Sequence, residues 1–182
     1  MTNYNHSNQR PFARLLADYR ARVYETCFSP RNPTEALVKK PASEPKTTLV
    51  VIEDNADQWL LTKWALHQRF PQADLIWLSD AEKVLPYLDA FQRNRKDLPL
   101  LILVDLYLPT AQQGLQVITL LKSHPLYKPI PTITLSWSSY REDIDQAFAH
   151  SADGYLVKPS SYSDWQGALS ILDTYWNRQA LI

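Results

Sequence analysis

The chain has 182 residues, 45% of them apolar, and 19 basic residues balance 19 acidic ones. This is enough apolar chain for one domain with a full core, or one domain plus an appendage, with no net charge to draw it to nucleic acid or an anionic membrane. No apolar run approaches the ~18–20 residues of a spanning helix, the polar start MTNYNHSNQR holds no secretory apolar region, and Cys27, the only cysteine, leaves no internal disulfide, so a soluble cytoplasmic protein is expected.

In chain order, residues 1–46 stand apart as an N-terminal extension. Residues 11–27 place Phe12, Leu15, Leu16, Tyr19 and Val23 at helical spacing. A stretch with four prolines in twenty residues follows, SPRNPTEALVKKPASEPKTT, which favours an extended tether. From Thr47 to the end a β-then-α rhythm predicts one domain over 47–182. Leu49 to Ile52 is a continuous apolar run, as in a parallel strand buried on both faces. Residues 57–69 read as an amphipathic helix with Leu61, Trp64 and Ala65 on one side. Leu75 to Leu78 is the second strand, and Ser79 with Glu82 stands at capping-box spacing before a helix to about Phe91. Leu100 to Val104 is the third strand, followed by a loop and a helix over about 115–123. Ile130 to Leu135 is the fourth strand, with its helix at about 141–150. Gly154 to Val157 is the fifth strand, and one long helix over 162–180 carries the stripe Trp165, Ala168, Leu169, Leu172 and Trp176.

Five strands alternating with helices predict an α/β fold with a doubly wound parallel sheet, flavodoxin-like in its order 2-1-3-4-5. Such sheets bind ligands at the carboxyl ends of the strands. There the sequence sets Glu53 and Asp54 after strand one, Asp105 after strand three, Ser136 after strand four, and Lys158 before Pro159 after strand five. Three converging carboxylates need a counter-charge, and a hard divalent cation such as Mg²⁺ supplies it through oxygen ligands. With an ammonium and a hydroxyl alongside, these are the parts that phosphoryl transfer requires. His6, His67, His124 and His150 lack metal-ligand spacing, and Gly114, Gly154 and Gly167 form no phosphate-cradling loop.

The blocks VVIEDN, LVDLYLP, ITLSWSS and ADGYLVKP resemble the signature blocks of response-regulator receiver domains, over roughly residues 47–180. The EDN start and the Tyr-Trp pair near the end are most similar to single-domain regulators paired with bacterial phytochromes. The resemblance implies that Asp105 is the phosphoacceptor, that Asp54 ligates Mg²⁺ directly and Glu53 through water, and that the backbone carbonyl of Tyr107 completes the protein ligands. It implies a switch pair, Ser136 and Tyr155, with Lys158 on the phosphoryl group and a cis bond before Pro159. It implies a histidine kinase or phosphotransfer protein as partner, with a bacteriophytochrome as one candidate kinase, and no output domain. Tyr162, Ile171, Tyr175 and the final Leu181-Ile182 lie off the core stripe, so homodimerisation through the last two helices and strand five is expected. Two departures stand out: Gly114 comes five residues after Pro109 rather than four, and Ser151 occupies a place where a helix-ending glycine is common.

Each residue has a plainer reading. A lone Asp105 is a turn or cap residue, a lone Lys158 a solvated lysine, and Tyr155 a core side chain; their agreement in order and position favours the functional one. A degenerate receiver acting only as an interaction module would have lost the acids or the lysine. A dehalogenase-like phosphatase needs a second Asp where Tyr107 stands.

Overall fold

The computed structural model describes Ala17 and residues 47–94, 98–161 and 163–179. Apart from Ala17, which is helical, the expected helix over 11–27 and the linker, as well as Tyr162, Leu181 and Ile182, lie outside the described residues. Strand β1, Thr48–Ile52, is buried at every position. It leads to helix α1, Ala56–Arg69, capped by Asn55, whose side chain accepts from the amides of Asp57 and Gln58. Strand β2, Asp74–Leu78, is followed by a 3₁₀ turn over Ala81–Lys83 and helix α2, Val84–Asn94. Then come β3, Leu101–Asp105, α3, Ala111–Ser123, β4, Thr132–Ser136, α4, Arg141–Ala149, and β5, Gly154–Val157. The last segment is α5, Asp164–Ala168, a 3₁₀ turn over Leu169–Leu172, and α6, Asp173–Gln179.

All strand pairs are parallel, in the order β2-β1-β3-β4-β5. Successive strand residues point to opposite faces, and the sheet uses both. Val50, Ile52, Ile102 and Val104 pack with α2, α3 and α4 through Val84, Leu88, Ile118, Leu121 and Ala147. Leu49, Val51, Leu101, Leu103, Ile133 and Leu135 pack with α1 and the last segment through Ala65, Leu66, Trp165, Leu169 and Leu172. Central strands apolar on both faces are what a sheet covered by two helical layers demands.

Four local expectations differ from the structure. The cap before α2 is Asp80, whose carboxylate accepts from the Glu82 amide at 2.9 Å, so it takes the role expected of Ser79. Helix α3 begins four residues before the expected 115: Thr110 caps it, and Gly114 is a helical residue. A Cβ there would meet the carbonyl oxygens of Leu106 and Asp105 at 2.1 and 2.7 Å, so the bare glycine is what lets the helix lie against the chain leaving β3. The expected single helix over 162–180 breaks at Leu169–Leu172, where Ser170 Oγ donates to the Gly167 carbonyl at 2.6 Å and competes with regular helical bonding. Finally, the cis bond falls at Leu108–Pro109, and Lys158–Pro159 is trans. Ser151, in the expected glycine place, takes a φ of 70°, so that turn needs the left-handed region even without a glycine.

Candidate functional site

Because β1 lies between β2 and β3, the ends of β1 and β3 are neighbours at the point where strand order reverses. Ile52 stands beside Val104 and Asp105 beside Leu135; on the other side Ser136 pairs with Val157. The next residues along β1 and β5, Glu53 and Lys158, are thereby carried to Asp105. Ligand oxygens of Glu53, Asp54 and Asp105 lie within 4.8 Å of one another. Glu53, Asp105 and Lys158 are buried, and Asp54 is exposed at the rim.

Lys158 Nζ donates to Glu53 Oε2 at 2.7 Å and to Asp105 Oδ1 at 3.0 Å. It also donates to Gln58 Oε1. The backbone amide of Lys158 is held by the Ser136 carbonyl at 2.7 Å, which fixes where the side chain starts. Glu53 Oε1 accepts from the Asn55 amide at 3.2 Å, so both of its oxygens are engaged. Trp77 Nε1 donates to the Glu53 carbonyl at 2.7 Å, and the Trp77 ring stacks on Trp59 with centroids 5.6 Å apart. The acid-bearing turn after β1 is therefore held from both sides.

One ammonium facing three carboxylates leaves an excess of negative charge. Burial pushes the Glu53 carboxyl up to about 7, against the pull of Lys158 and with Asp105 adding to the rise. Asp54 is raised by burial and by the charge of Asp105. Burial is the largest single influence on Lys158 and opposes its charge, but Asp105 and Glu53 together outweigh it and hold the ammonium above the ordinary lysine value. A buried ion cluster of this kind is a poor way to gain stability. Its donor set, three carboxylates with ligand oxygens close together, is suited to a hard divalent cation.

Ser136 is fully buried, and its Oγ accepts from the Ser138 amide at 3.1 Å. The Tyr155 hydroxyl donates to the Ser138 carbonyl at 2.9 Å. The two expected switch residues are thus tied to the same peptide segment, with the Tyr155 ring packed on the core. Tyr107 is half-buried, and its hydroxyl donates to Asp143 Oδ2 at 3.0 Å. Trp137 lines a cleft of about 440 Å³ with Val157, Lys158, Pro159, Ser160 and Asp164. Glu53, Asp54, Asp105 and Lys158 come together in one pocket, while Ser136 and Tyr155 meet at Ser138. The one the sequence reading missed is Gln58, in the first turn of α1. The signal was its place three residues behind the Asn55 cap, on the turn of helix that follows Glu53-Asp54.

Comparison with known proteins matches residues 49–170 to the model of the "Response regulator receiver domain" family. Response regulator Rcp1 of Synechocystis sp. is 25% identical over 135 residues, which cover 74% of this chain and 91% of Rcp1; a Mn²⁺-bound structure of Rcp1 aligns at 26% identity and a TM-score of 0.60 over 72% of this chain and 94% of that one. The crystal structure of response regulator RPA3017, in red light signalling of R. palustris, aligns at 28% identity and a TM-score of 0.63 over 71% of this chain and 93% of that one. That of the phosphorylated cyanobacterial phytochrome response regulator RcpA aligns at 26% identity and the same TM-score over 74% and 96%.

Proposed function

Since this chain belongs to the response regulator receiver family, we propose that it accepts a phosphoryl group on Asp105, from a histidine kinase or phosphotransfer protein, with Mg²⁺ bound by Glu53, Asp54, Asp105 and the Tyr107 carbonyl. Receiver domains are signalling modules that bind a divalent metal and are phosphorylated in two-component systems. The observation that carries the assignment to Asp105 is the buried Lys158 ammonium bonded to both Asp105 and Glu53 in a pocket that Asp54 completes.

A carboxylate oxygen of Asp105 attacks phosphorus in line with the leaving nitrogen of the donor; the new P–O bond forms as the P–N bond breaks. A bound divalent cation neutralises the carboxylates and the phosphoryl oxygens. Lys158, already bonded to Asp105 and Glu53 in the pocket, faces the same oxygens. Ser136 offers its hydroxyl to a phosphoryl oxygen. In turning, it withdraws the acceptor that the Ser138 amide now uses, and the Ser138 carbonyl that holds Tyr155 moves with it.

The finer reading pairs this regulator with a phytochrome-type kinase, supported by its likeness to RcpA and RPA3017. It places the protein in the cytoplasm, sets residues 1–46 as an extension of a receiver domain over 47–182, and transmits the signal through a homodimer using α4, β5 and the last segment. The retained acids and lysine speak against a degenerate module, and Tyr107 in place of a second Asp against a phosphatase. The test is labelling by phosphoramidate with Mg²⁺, followed by intact mass. Wild type gains one phosphoryl group, and Asp105→Asn gains none while keeping its circular dichroism. Undiminished labelling of the variant overturns the assignment.

A further inference from the structure

An ammonium has three N–H donors, and Lys158 spends one each on Glu53, Asp105 and Gln58. The carboxylates are charged acceptors; the Gln58 carboxamide is neutral. All three bonds are charge-assisted through the ammonium, but only the carboxylates add the attraction of an opposite charge, so the Gln58 bond yields first when a further anion enters. The same Gln58 Oε1 accepts from Trp137 Nε1 at 2.9 Å. One oxygen thus joins the pocket's buried cation to an indole on the wall of the outer cleft. Gln58 belongs to α1, Trp137 to the chain leaving β4, and Lys158 to that leaving β5, so the junction links three separate elements.

We infer that Gln58 is a positioning residue that clamps the Trp137 indole to Lys158, and that the clamp opens when Lys158 turns to a phosphoryl group on Asp105. This rests on the phosphoacceptor reading. Phosphorylation converts the Asp105 carboxylate to an acyl phosphate and places phosphoryl oxygens before the ammonium. Lys158 keeps Glu53, takes the phosphoryl oxygens, and leaves the carboxamide. Gln58 and Trp137 then lose their anchor in the pocket, and the cleft wall registers the state of Asp105. This route to the surface is separate from the one through Ser136, Ser138 and Tyr155.

The experiment follows indole N–H resonances of the full chain labelled with ¹⁵N-tryptophan. Trp137 is identified among the six tryptophans as the signal missing in Trp137→Phe. Gln58→Leu keeps the shape of the side chain and removes the acceptor; Gln58→Glu keeps an acceptor and strengthens its hold on Lys158. Without phosphodonor, Trp137 N–H exchange with water is several times faster in Gln58→Leu than in wild type, and no faster in Gln58→Glu. With Mg²⁺ and phosphoramidate, the wild-type Trp137 signal moves towards its position in Gln58→Leu, while the signal in Gln58→Glu moves less. A wild type that gains its phosphoryl group by mass and leaves the Trp137 signal in place overturns the clamp and spares the Asp105 assignment. Equal exchange in wild type and Gln58→Leu overturns it as well. A wild type that gains no phosphoryl group overturns both.

Discussion

Glu53 and Tyr107 show how much a single side chain decides at this site. The Glu53 carboxyl is raised from 4.5 to about 7 by burial, while Lys158, raised above the ordinary lysine value, stays charged throughout that range. A carboxyl raised in the fold holds a proton that the unfolded chain releases, so the metal-free protein is stabilised least at and above pH 7 and gains as pH falls towards 4.5. A cation entering the pocket must displace that proton. Mg²⁺ affinity measured by calorimetry is therefore expected to fall roughly tenfold per unit below pH 7 and to level off above it; a flat profile from pH 6 to 8 would sink the argument. Tyr107 is a different case. Tyr107, anchored on Asp143, follows Asp105 by two residues, and on the phosphoacceptor reading it and the small, uncharged Ser138 would flank the approach of a hydrolytic water. The aspartyl phosphate should be long-lived, and Tyr107→Asn should shorten its half-life. An unchanged half-life means that Tyr107 does not shield.

At the scale of elements, α3 depends on one glycine. Alanine at Gly114 drives a methyl into the carbonyls of Asp105 and Leu106, which are backbone atoms with little room to yield. Overpacking of this kind costs ~1–3 kcal/mol, and urea unfolding of Gly114→Ala should show a loss of at least that order, with slower phosphorylation because the strained chain carries Asp105. A variant as stable as wild type would mean that α3 can shift outward freely. The same glycine explains an error of reading: Gln112-Gln113-Gly114 has the composition of a loop, and only its packing makes it helix. The strands were legible because burial on both faces leaves unbroken runs such as Leu49–Ile52 and Leu101–Val104. The acids and Lys158 were legible because strand order fixes where strand ends meet. Gln58 was not, since its partners Trp137 and Lys158 lie 79 and 100 residues away and its place in the turn after Glu53-Asp54 is only a faint signal. The break in the last helix was hidden by the apolar stripe, which runs through the 3₁₀ turn at Leu169 and Leu172.

For the whole molecule, the face expected to pair is partly open. Val157 on β5 and Ile171 in the last segment are exposed, whereas Tyr175 packs against the core instead of facing outward. Self-association by sedimentation at tens of micromolar, stronger with phosphodonor and weakened by Ile171→Lys, is the expected outcome; a monomer under both conditions removes this face from consideration. The sheet order has a consequence in time. Among the described strands β1 is made first, yet it is a central one, and its neighbour β3 lies far downstream: Leu49 pairs with Leu101, 101 − 49 = 52 residues later. At ~5–20 residues per second the ribosome leaves that edge of β1 waiting for roughly 3–10 s. During that interval β2 alone can pair with it, and the wholly apolar run Leu49–Ile52 is a sticky nascent segment whose safety depends on synthesis keeping pace.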